Sequence, residues 1–490
     1  MIIILRFFEQ ILHLLTKVGA RLIILIAFFK KGYIMAKKGL SDPDFFGTQK
    51  ISKILLKTAP PVMLAQLIQA LYNIVDSFFV GRYSDEALTA LSVIYPIQLI
   101  IIALAVGTGV GVNTYMARKF AQGKPRDADE AGGTGMLLEL ATWLTFTILA
   151  VALMKPYVMT SAKSPEAIAN AVTYGNIVCI GSVGAFLEGN WTKVLQARGD
   201  MRLPMIAQIA GAVTNILFDP LLIFGIGFFP EMGVAGAAYA TVLGQIVAAV
   251  ITGSKGFCKI PEMKKLSHYI KMIYRYGYPS IFMQLLYTVY IVALNVILAG
   301  FSDSAVTVLG LYYKAQSLFF IPLFGLQTCI VPVLSYNYAN KSYRRCRDLM
   351  NFSCLVSAVF MIVGIVFFVF FPEALMSVFS KSEEVMQIGS VAFPIIGSSF
   401  LPAVISLTMP VFFQAIGYGR TSLMLSLTRQ VFCLIPIFRI FAEFGLNYTW
   451  FAYPISEVIS GGIGLIIYFS VLKKWKKETN NALSQKSTTE

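Results

Sequence analysis

Residues 61–85 read PVMLAQLIQALYNIVDSFFVGRYSD, and residues 279–303 read PSIFMQLLYTVYIVALNVILAGFSD. The two stretches begin 218 positions apart (279 − 61 = 218). The same spacing relates residues far beyond them: Gln98 and Gln316, Gly107 and Gly325, Arg126 and Arg344, Gln196-Ala197 and Gln414-Ala415, Arg202 and Arg420, and Gly244 and Gly462. An apolar chain built twice on one plan is typical of a membrane transporter whose site lies between or within its halves.

The composition also indicates a membrane protein. The 490-residue chain is 57% hydrophobic and 13% charged, against roughly 25% charged in an ordinary soluble domain. A helix needs about 20 apolar residues to cross the hydrocarbon core. Twelve stretches are long enough, near residues 54–79, 89–115, 134–153, 168–190, 203–224, 234–252, 273–299, 305–334, 351–371, 385–413, 423–441 and 450–471.

Basic residues are concentrated in alternate connections, for example Arg118 and Lys119, Arg344 and Arg345, and the run of lysines after residue 472. By the positive-inside rule these connections and both termini are cytoplasmic, in a multi-pass protein of the plasma (inner) membrane. The net charge of +15 then reflects topology and contact with anionic membrane lipids, and nucleic-acid binding is not expected.

Each half has six predicted spans, so both enter the membrane from the same side. We therefore predict an all-α integral membrane protein with twelve transmembrane helices, in two six-helix bundles related by a pseudo-two-fold axis along the membrane normal. The predicted parts are an extension (1–49), an N-lobe (50–254), a cytoplasmic linker (255–275), a C-lobe (276–474) and a tail (475–490). Within the extension, either Met35 is the start of the native protein or the preceding segment is an interfacial helix.

Several functional classes lack their sequence signals. The chain has no Gly-rich loop ending in Gly-Lys-Ser or Gly-Lys-Thr, so we expect transport to be passive or driven by a gradient, with no cofactor. The run Gly107 to Gly111 lies inside a predicted span, where it favours close helix packing. The cysteines lack paired spacing and the only histidines are His13 and His268, so zinc sites, disulfides and a histidine-based triad are not supported.

Two acids lie at predicted membrane depth, where a charge costs roughly 2.5 kcal/mol or more. In the first span, Gln69, Asn73 and Asp76 are spaced i, i+4, i+7, which places two amides and a carboxylate on one helix face. In the fifth span, Asn215 and Asp219 are spaced i, i+4. Two further acids, Glu139 and Glu188, fall near the cytoplasmic ends of their spans, where we expect contact with water.

Pro220 follows Asp219 directly and has no N–H, so the carbonyl of Ile216 lacks its helical donor and is available to a ligand or water. Oxygen ligands from carboxylates, amides and a carbonyl suit Na⁺, and two close carboxylates raise the affinity of one for a proton. The alternative is that Asp76 caps or kinks its helix and that residues 215–220 merely end a span.

At these residues the sequence resembles the MATE family of multidrug and toxin extrusion transporters. Residues 69–81 are similar to that family's first helix, residues 196–205 to the loop before its fifth helix, residues 215–220 to the fifth helix, and residues 414–417 to the counterpart loop. The resemblance covers residues 50–474.

The resemblance implies an antiporter that exchanges Na⁺ or H⁺ for amphiphilic, often cationic, drugs by rocking two six-helix lobes. The cation-binding cluster of the DinF-like branch is matched here by Asp76, Asn190, Asn215, Asp219 and Thr241. Pro61 matches the proline about which the first helix bends. Another branch uses acids in the seventh and tenth spans, and residues 276–299 and 385–413 contain none.

Substrate contacts are expected from residues of the first span, namely Met63, Gln69, Tyr72, Asn73 and Phe78. A lipid-linked sugar flippase of the wider superfamily is the alternative function, and it would need several cations facing a central cavity. Lys314, Arg429 and Arg439 are the candidates, all in one half. Together with Glu457, they otherwise suit interfacial snorkelling or structural ion pairs. A membrane-embedded enzyme would need a nucleophile with a base, or a metal cluster, and with only two histidines in the chain we do not expect an enzyme.

Overall fold

The computed structural model describes residues 45–161, 164–227, 229–377 and 382–487, and every regular element in these ranges is a helix. Ten helices are long and apolar enough to cross a membrane, and two bent helix pairs bring the number of spans to twelve. This confirms the predicted all-α, twelve-span architecture. The expectations for Met35 and the segment before it lie outside the described residues.

The first half begins with a short helix, α1 (Phe45–Thr48), and continues with the six spans of the N-lobe. They are formed by α2 (Ile51–Tyr83), α3 (Asp85–Ala121), α4 (Pro125–Ser161), the pair α5 (Pro165–Gly181) and α6 (Val183–Ala197), α7 (Arg202–Ile223) and α8 (Val234–Gly256). α2 continues through Pro60 and Pro61 without interruption.

The C-lobe repeats this order. Its elements are α9 (Met263–Ala299), α10 (Asp303–Ala339), α11 (Tyr343–Phe370), α12 (Pro372–Ser377), the pair α13 (Glu383–Gly397) and α14 (Phe400–Ala415), α15 (Gly419–Leu427), a π-helix (Thr428–Leu434), α16 (Ile435–Ala442), α17 (Leu446–Thr449) and α18 (Ala452–Ser487). The non-helical connection between the lobes is short, because α9 already begins at Met263 within the predicted linker.

One span in each lobe is broken. α5 and α6 bend by 41° at Ser182, and α13 and α14 bend by 56° at Ser398 and Ser399. Each serine hydroxyl donates to the carbonyl three residues earlier, at 2.7, 2.6 and 2.6 Å, which satisfies carbonyls freed by the break. Since 182 + 218 = 400, the two breaks occupy matching places in the repeat.

The lobes meet along four helices. α9 packs on α3, and α2 packs on α10, each more extensively than on the helix that follows it in its own lobe. The lobes approach closely at Gly107, where a Cβ atom would lie 2.2 Å from Cγ1 of Ile281. At Gly111, a Cβ would lie 2.2 Å from the carbonyl oxygen of Ile273. These contacts all lie toward the basic ends of the helices and confirm that the glycine run serves helix packing.

Toward their other ends these helices carry exposed side chains. Tyr95 of α3 and Tyr287 of α9 are 56% and 37% exposed, although they lie close enough to interact electrostatically. On α2, Leu71 and Phe78 are exposed as well. A cleft between the lobes therefore opens on the side opposite the basic ends, and we refer to it as the central cleft.

Candidate functional site

The two acids singled out in the sequence lie together in the N-lobe. The carboxyl groups of Asp76 on α2 and Asp219 on α7 are within hydrogen-bonding reach of each other. Asp219 is fully buried. Asp76 Oδ1 and Asp219 Oδ2 are buried and have no hydrogen-bond partner among the described residues. We call Asp76, Asp219 and the polar groups around them the acidic site.

The neighbouring amide and hydroxyl complete one side of the acidic site. Nδ2 of Asn215 donates to Oδ1 of Asp219 at 3.2 Å and to Oγ1 of Thr241, on α8, at 3.4 Å. The i, i+4 spacing of Asn215 and Asp219 on α7 makes the first contact. The Asn215 Oδ1 atom is buried without a described partner. Because its amide N–H groups are used within the cluster, this oxygen is left as an acceptor for a cation or a donor.

Two residues of the acidic site were missed from the sequence. Tyr174 on α5 is buried, and its hydroxyl accepts a hydrogen bond from Nε2 of Gln98 on α3 at 3.3 Å. The Tyr174 hydroxyl is also within reach of Thr241 and interacts electrostatically with both acids. The recurrence of Gln98 as Gln316 is the one signal that could have indicated this pair. Tyr72, predicted to line the substrate path, also lies within electrostatic range of both acids.

Asn190 contacts residues of α4, outside the acidic site. Its Nδ2 donates to the carbonyl of Gly132 on α4 at 3.3 Å, and its Oδ1 faces Gly135. Nearby on the same face of the lobe, Asn113 donates to the carbonyl of Lys193 at 2.9 Å. The structure therefore places Asn190 on α6 facing α4, and among the described residues it makes no hydrogen bond to Asp76 or Asp219. Its role as a cation ligand stays a prediction.

The remaining first-span residues fall into separate environments. Gln69 and Phe78 are exposed, Pro61 is buried, and Met63 packs against Gly325 of the other lobe. The side chain of Asn73 lies outside the described residues. Gln69 and Phe78 are nine residues apart in one continuous helix and therefore lie on opposite faces of α2, whereas Met63 lies at the contact between lobes.

The charged residues left unassigned in the C-lobe are partly paired. Arg429 and Glu457 form a buried ion pair, with Nε 2.9 Å from Oε1. Arg439 is on the surface, with Nη2 3.9 Å from Oε1 of Glu443, and Lys314 is exposed. The structural-pair interpretation of Arg429 and Glu457 therefore agrees with their geometry.

A family model named MatE matches residues 61–221 and 279–438. The two matched ranges begin at Pro61 and Pro279 and are the two halves of the internal repeat. The chain belongs to the MatE family. This confirms the resemblance at family level, while assignment to a DinF-like branch stays a prediction. As a MatE protein the chain is a multi-pass membrane transporter of the two-lobe fold.

Similar proteins align over more than four fifths of the MatE chain. It is 24% identical over 419 residues to a protein of Shewanella oneidensis named "FAD transporter", covering 84% of this chain and 93% of the relative. It is 25% identical over 445 residues to "Probable multidrug resistance protein NorM" of Thermotoga maritima, covering 87% and 94%. A solved MOP superfamily transporter from Pyrococcus furiosus superposes with a TM-score of 0.83 at 23% identity, covering 90% of this chain and all of that one.

Proposed function

We propose that this MatE protein is a cation-coupled antiporter that uses Na⁺ or H⁺ to export amphiphilic, often cationic, drugs. The observation that carries the proposal is the proximity of the carboxyl groups of Asp76 and Asp219, with Asp219 fully buried. Two carboxylates at hydrogen-bonding distance in a low-dielectric site do not both stay charged unless a cation lies between them. The acidic site is therefore a site for a proton or a small metal cation.

The unpartnered oxygens support the same function. Asp76 Oδ1, Asp219 Oδ2 and Asn215 Oδ1 are buried without a described partner. Leaving such atoms unpaired costs about 1–3 kcal/mol each, and a bound Na⁺ or a proton would remove much of that cost. Carboxylate and amide oxygens are the ligand type that hard cations prefer.

In the proposed cycle, the ion and the drug compete. With the cleft open away from the basic ends, an ion enters the acidic site and neutralises it, and α2 bends near Pro61 and expels the drug. After the lobes rock to the opposite state, the ion leaves and the restored negative charge attracts a cationic substrate. One charge moving through 100 mV releases about 2.3 kcal/mol, which supports a more than tenfold gradient of a neutral drug.

The test is flux in vesicles reconstituted with the purified protein, using a fluorescent cationic dye. Dye movement is measured under an imposed Na⁺ gradient and, separately, under a pH gradient. We expect one gradient to drive uptake, and we expect Asp76→Asn and Asp219→Asn to reduce that uptake at least tenfold. Glu443→Gln, at an acid that is 70% exposed, is the control. Undiminished ion-driven flux in both acid variants would overturn the proposal.

The flippase alternative is less well supported by the charges. It requires several uncompensated cations facing the cleft, whereas Arg429 lies beside Glu457 and Arg439 lies beside Glu443. Vesicles loaded with FAD would test the substrate that the Shewanella relative's name gives. Movement of a lipid-linked sugar in place of the dye would favour the flippase.

A further inference from the structure

The C-lobe holds a charged pair deep among its helices. Nε of Arg429 lies 2.9 and 3.1 Å from the two carboxylate oxygens of Glu457, and their side chains are 11% and 5% exposed. The hydroxyl of Ser406 donates a further hydrogen bond to Glu457. Arg429 belongs to the π-helix Thr428–Leu434, an element frequently found at functional sites.

Five tyrosines surround this pair, and we call them the tyrosine cage: Tyr287, Tyr290, Tyr312, Tyr313 and Tyr453. Their rings meet edge-on, with centroids 5.4 Å apart for Tyr287 and Tyr290 and 5.3 Å apart for Tyr312 and Tyr453. The hydroxyls of Tyr313 and Tyr453 are 3.0 Å apart. The Tyr290 hydroxyl is within hydrogen-bonding reach of the Arg429 guanidinium.

The tyrosine cage reaches the central cleft. Tyr287 is 37% exposed and lies within electrostatic range of Arg429. Tyr95, on the opposite lobe, is 56% exposed and close to Tyr287. A molecule in the cleft would therefore meet an aromatic ring from each lobe, with the guanidinium behind one of them.

The fold itself does not require the charged pair. Subtracting the repeat spacing places Gly211 at the position of Arg429 (429 − 218 = 211) and Tyr239 at that of Glu457 (457 − 218 = 239). In the N-lobe, α7 and α8 pack closely where Gly211 meets Gly244. Replacing a buried ion pair by apolar residues is often neutral or stabilising. Packing alone is therefore a weak reason for an arginine at position 429.

The chemistry of the group defines a ligand. Nε of Arg429 donates both hydrogen bonds to Glu457. The terminal amino groups of the guanidinium are further donors that a ligand could use. A guanidinium binds a carboxylate or a phosphate through paired N–H groups. Tyrosine rings stack on flat aromatic surfaces. We propose that Arg429 and the tyrosine cage bind the anionic end of a planar aromatic substrate.

This C-lobe site complements the acidic site in charge. Asp76 and Asp219 attract the cationic part of a molecule, and Arg429 attracts an anionic part. Glu457 then acts as a competitor, because it holds Arg429 until a ligand carboxylate or phosphate takes its place. Binding at this site does not depend on ion coupling, although its use in export rests on the proposed function.

The test uses two probes with the same ring and opposite charge, 1-pyrenecarboxylate and 1-pyrenemethylammonium, titrated into the purified protein in lipid nanodiscs. Pyrene fluorescence reports binding. We expect Arg429→Lys to lower the affinity for the carboxylate probe about tenfold or more, because the paired N–H geometry is lost while the charge stays. We expect Glu457→Gln to raise the affinity for the carboxylate probe, because the competing carboxylate is gone. Tyr287→Leu should lower the affinity for both probes.

Arg439→Lys, at an arginine that is 64% exposed, is the matched control and should leave both probes unchanged. Size-exclusion profiles show which variants fold, and the double variant R429Q/E457Q avoids an unpaired buried charge. Equal affinity for the carboxylate probe in the wild type, R429K and the double variant would overturn the site. Loss of ion-driven dye flux in D76N concerns the proposed function alone, so the two failures can be told apart.

Discussion

Arg118 of the N-lobe donates a hydrogen bond across the lobe boundary to the main-chain carbonyl of Ala415, with an Nη2–O distance of 3.0 Å. Its guanidinium also lies over the rings of Tyr276 and Tyr338, 4.7 and 5.3 Å from their centroids. All three partners are in the C-lobe. Arg118 is thus a single side chain that ties the basic ends of the two lobes together.

Replacing Arg118 by Gln should therefore shift the protein toward a state with its basic ends apart. A hydrogen bond to a charged group contributes about 1.5–3 kcal/mol, so we expect the equilibrium constant between the closed and open states to fall by about tenfold or more. Spin labels at Gln122 and Arg420, both exposed, would report the change by double electron–electron resonance. Arg126→Gln on the same side should leave the distances unchanged, and an unaltered distribution in Arg118→Gln would contradict the role of Arg118.

Thr241→Val should weaken binding of the coupling ion. The Thr241 hydroxyl contacts Asn215 in the acidic site, and loss of one oxygen should cost about 1 kcal/mol, or roughly fivefold in ion affinity. The measurement is the ion concentration that gives half-maximal dye flux. Thr252→Val is a matched control on α8, because the Thr252 hydroxyl bonds only to carbonyls of its own helix. Equal effects of the two changes would remove Thr241 from the site.

Gly107→Ala should prevent the lobes from closing at their basic ends. The added Cβ would lie 2.2 Å from Cγ1 and 2.8 Å from the main-chain nitrogen of Ile281, so α3 and α9 must move apart. We expect dye flux to fall at least tenfold while the protein remains folded. At Gly310 a Cβ would meet nothing within 4 Å, and Gly310→Ala should transport normally. Normal transport by Gly107→Ala would show that the close contact is dispensable.

Glu139→Leu should raise thermal stability. Glu139 is fully buried in α4, and neither carboxyl oxygen has a described partner. Removing an unpaired buried group should contribute about 1–3 kcal/mol. Glu188→Leu should have the opposite effect, because Oε1 of Glu188 accepts a hydrogen bond from Thr192 at 2.6 Å. Thermal unfolding in detergent compares the two, and a large loss of stability in Glu139→Leu would indicate that Glu139 holds an ion.

Cys258, in the connection between the lobes, should react slowly with thiol reagents. Burial, the largest effect, raises the pKa of its thiol to about 11, although neighbouring Arg198 acts to lower it. At pH 8 only about one thiol in a thousand would be ionised. A variant with Cys258 as its single cysteine should therefore react with maleimide at least tenfold more slowly than one carrying Ser254→Cys, an exposed position. Equal rates would show that the connection opens readily.

The sequence predicted the fold well because the fold depends on two strong signals, apolar length and the repeat. It also predicted the centre of the acidic site, since the spacing of Asn215 and Asp219 fixes their contact within one helix. Tyr174 could not be found in this way, because placing an uncharged aromatic residue in the membrane does not carry the free-energy cost of placing a charged one there. The pairing of Arg429 with Glu457 joins two different spans, and no local pattern encodes that contact.

One prediction about the spans was wrong, and one structural detail was not predicted. Glu139 was expected to contact water near the end of its span, but it is fully buried, because its position along α4 does not indicate which side of the helix the neighbouring helices cover. Residues 168–190 and 385–413 were each predicted as one span, as in the structure, but the bend within each span was not predicted. Serines that bond to their own helix at the breaks resemble serines in any helix, so the sequence alone gave no warning.

The crossed packing of the lobes bears on the origin of this architecture. α2 lies on α10 and α9 lies on α3, so the first span of each half rests on the second span of the other. Two separate copies of one half could associate through this same reciprocal exchange, as an isologous dimer with two-fold symmetry. The duplicated chain therefore has, within one polypeptide, the reciprocal interface of a two-fold dimer.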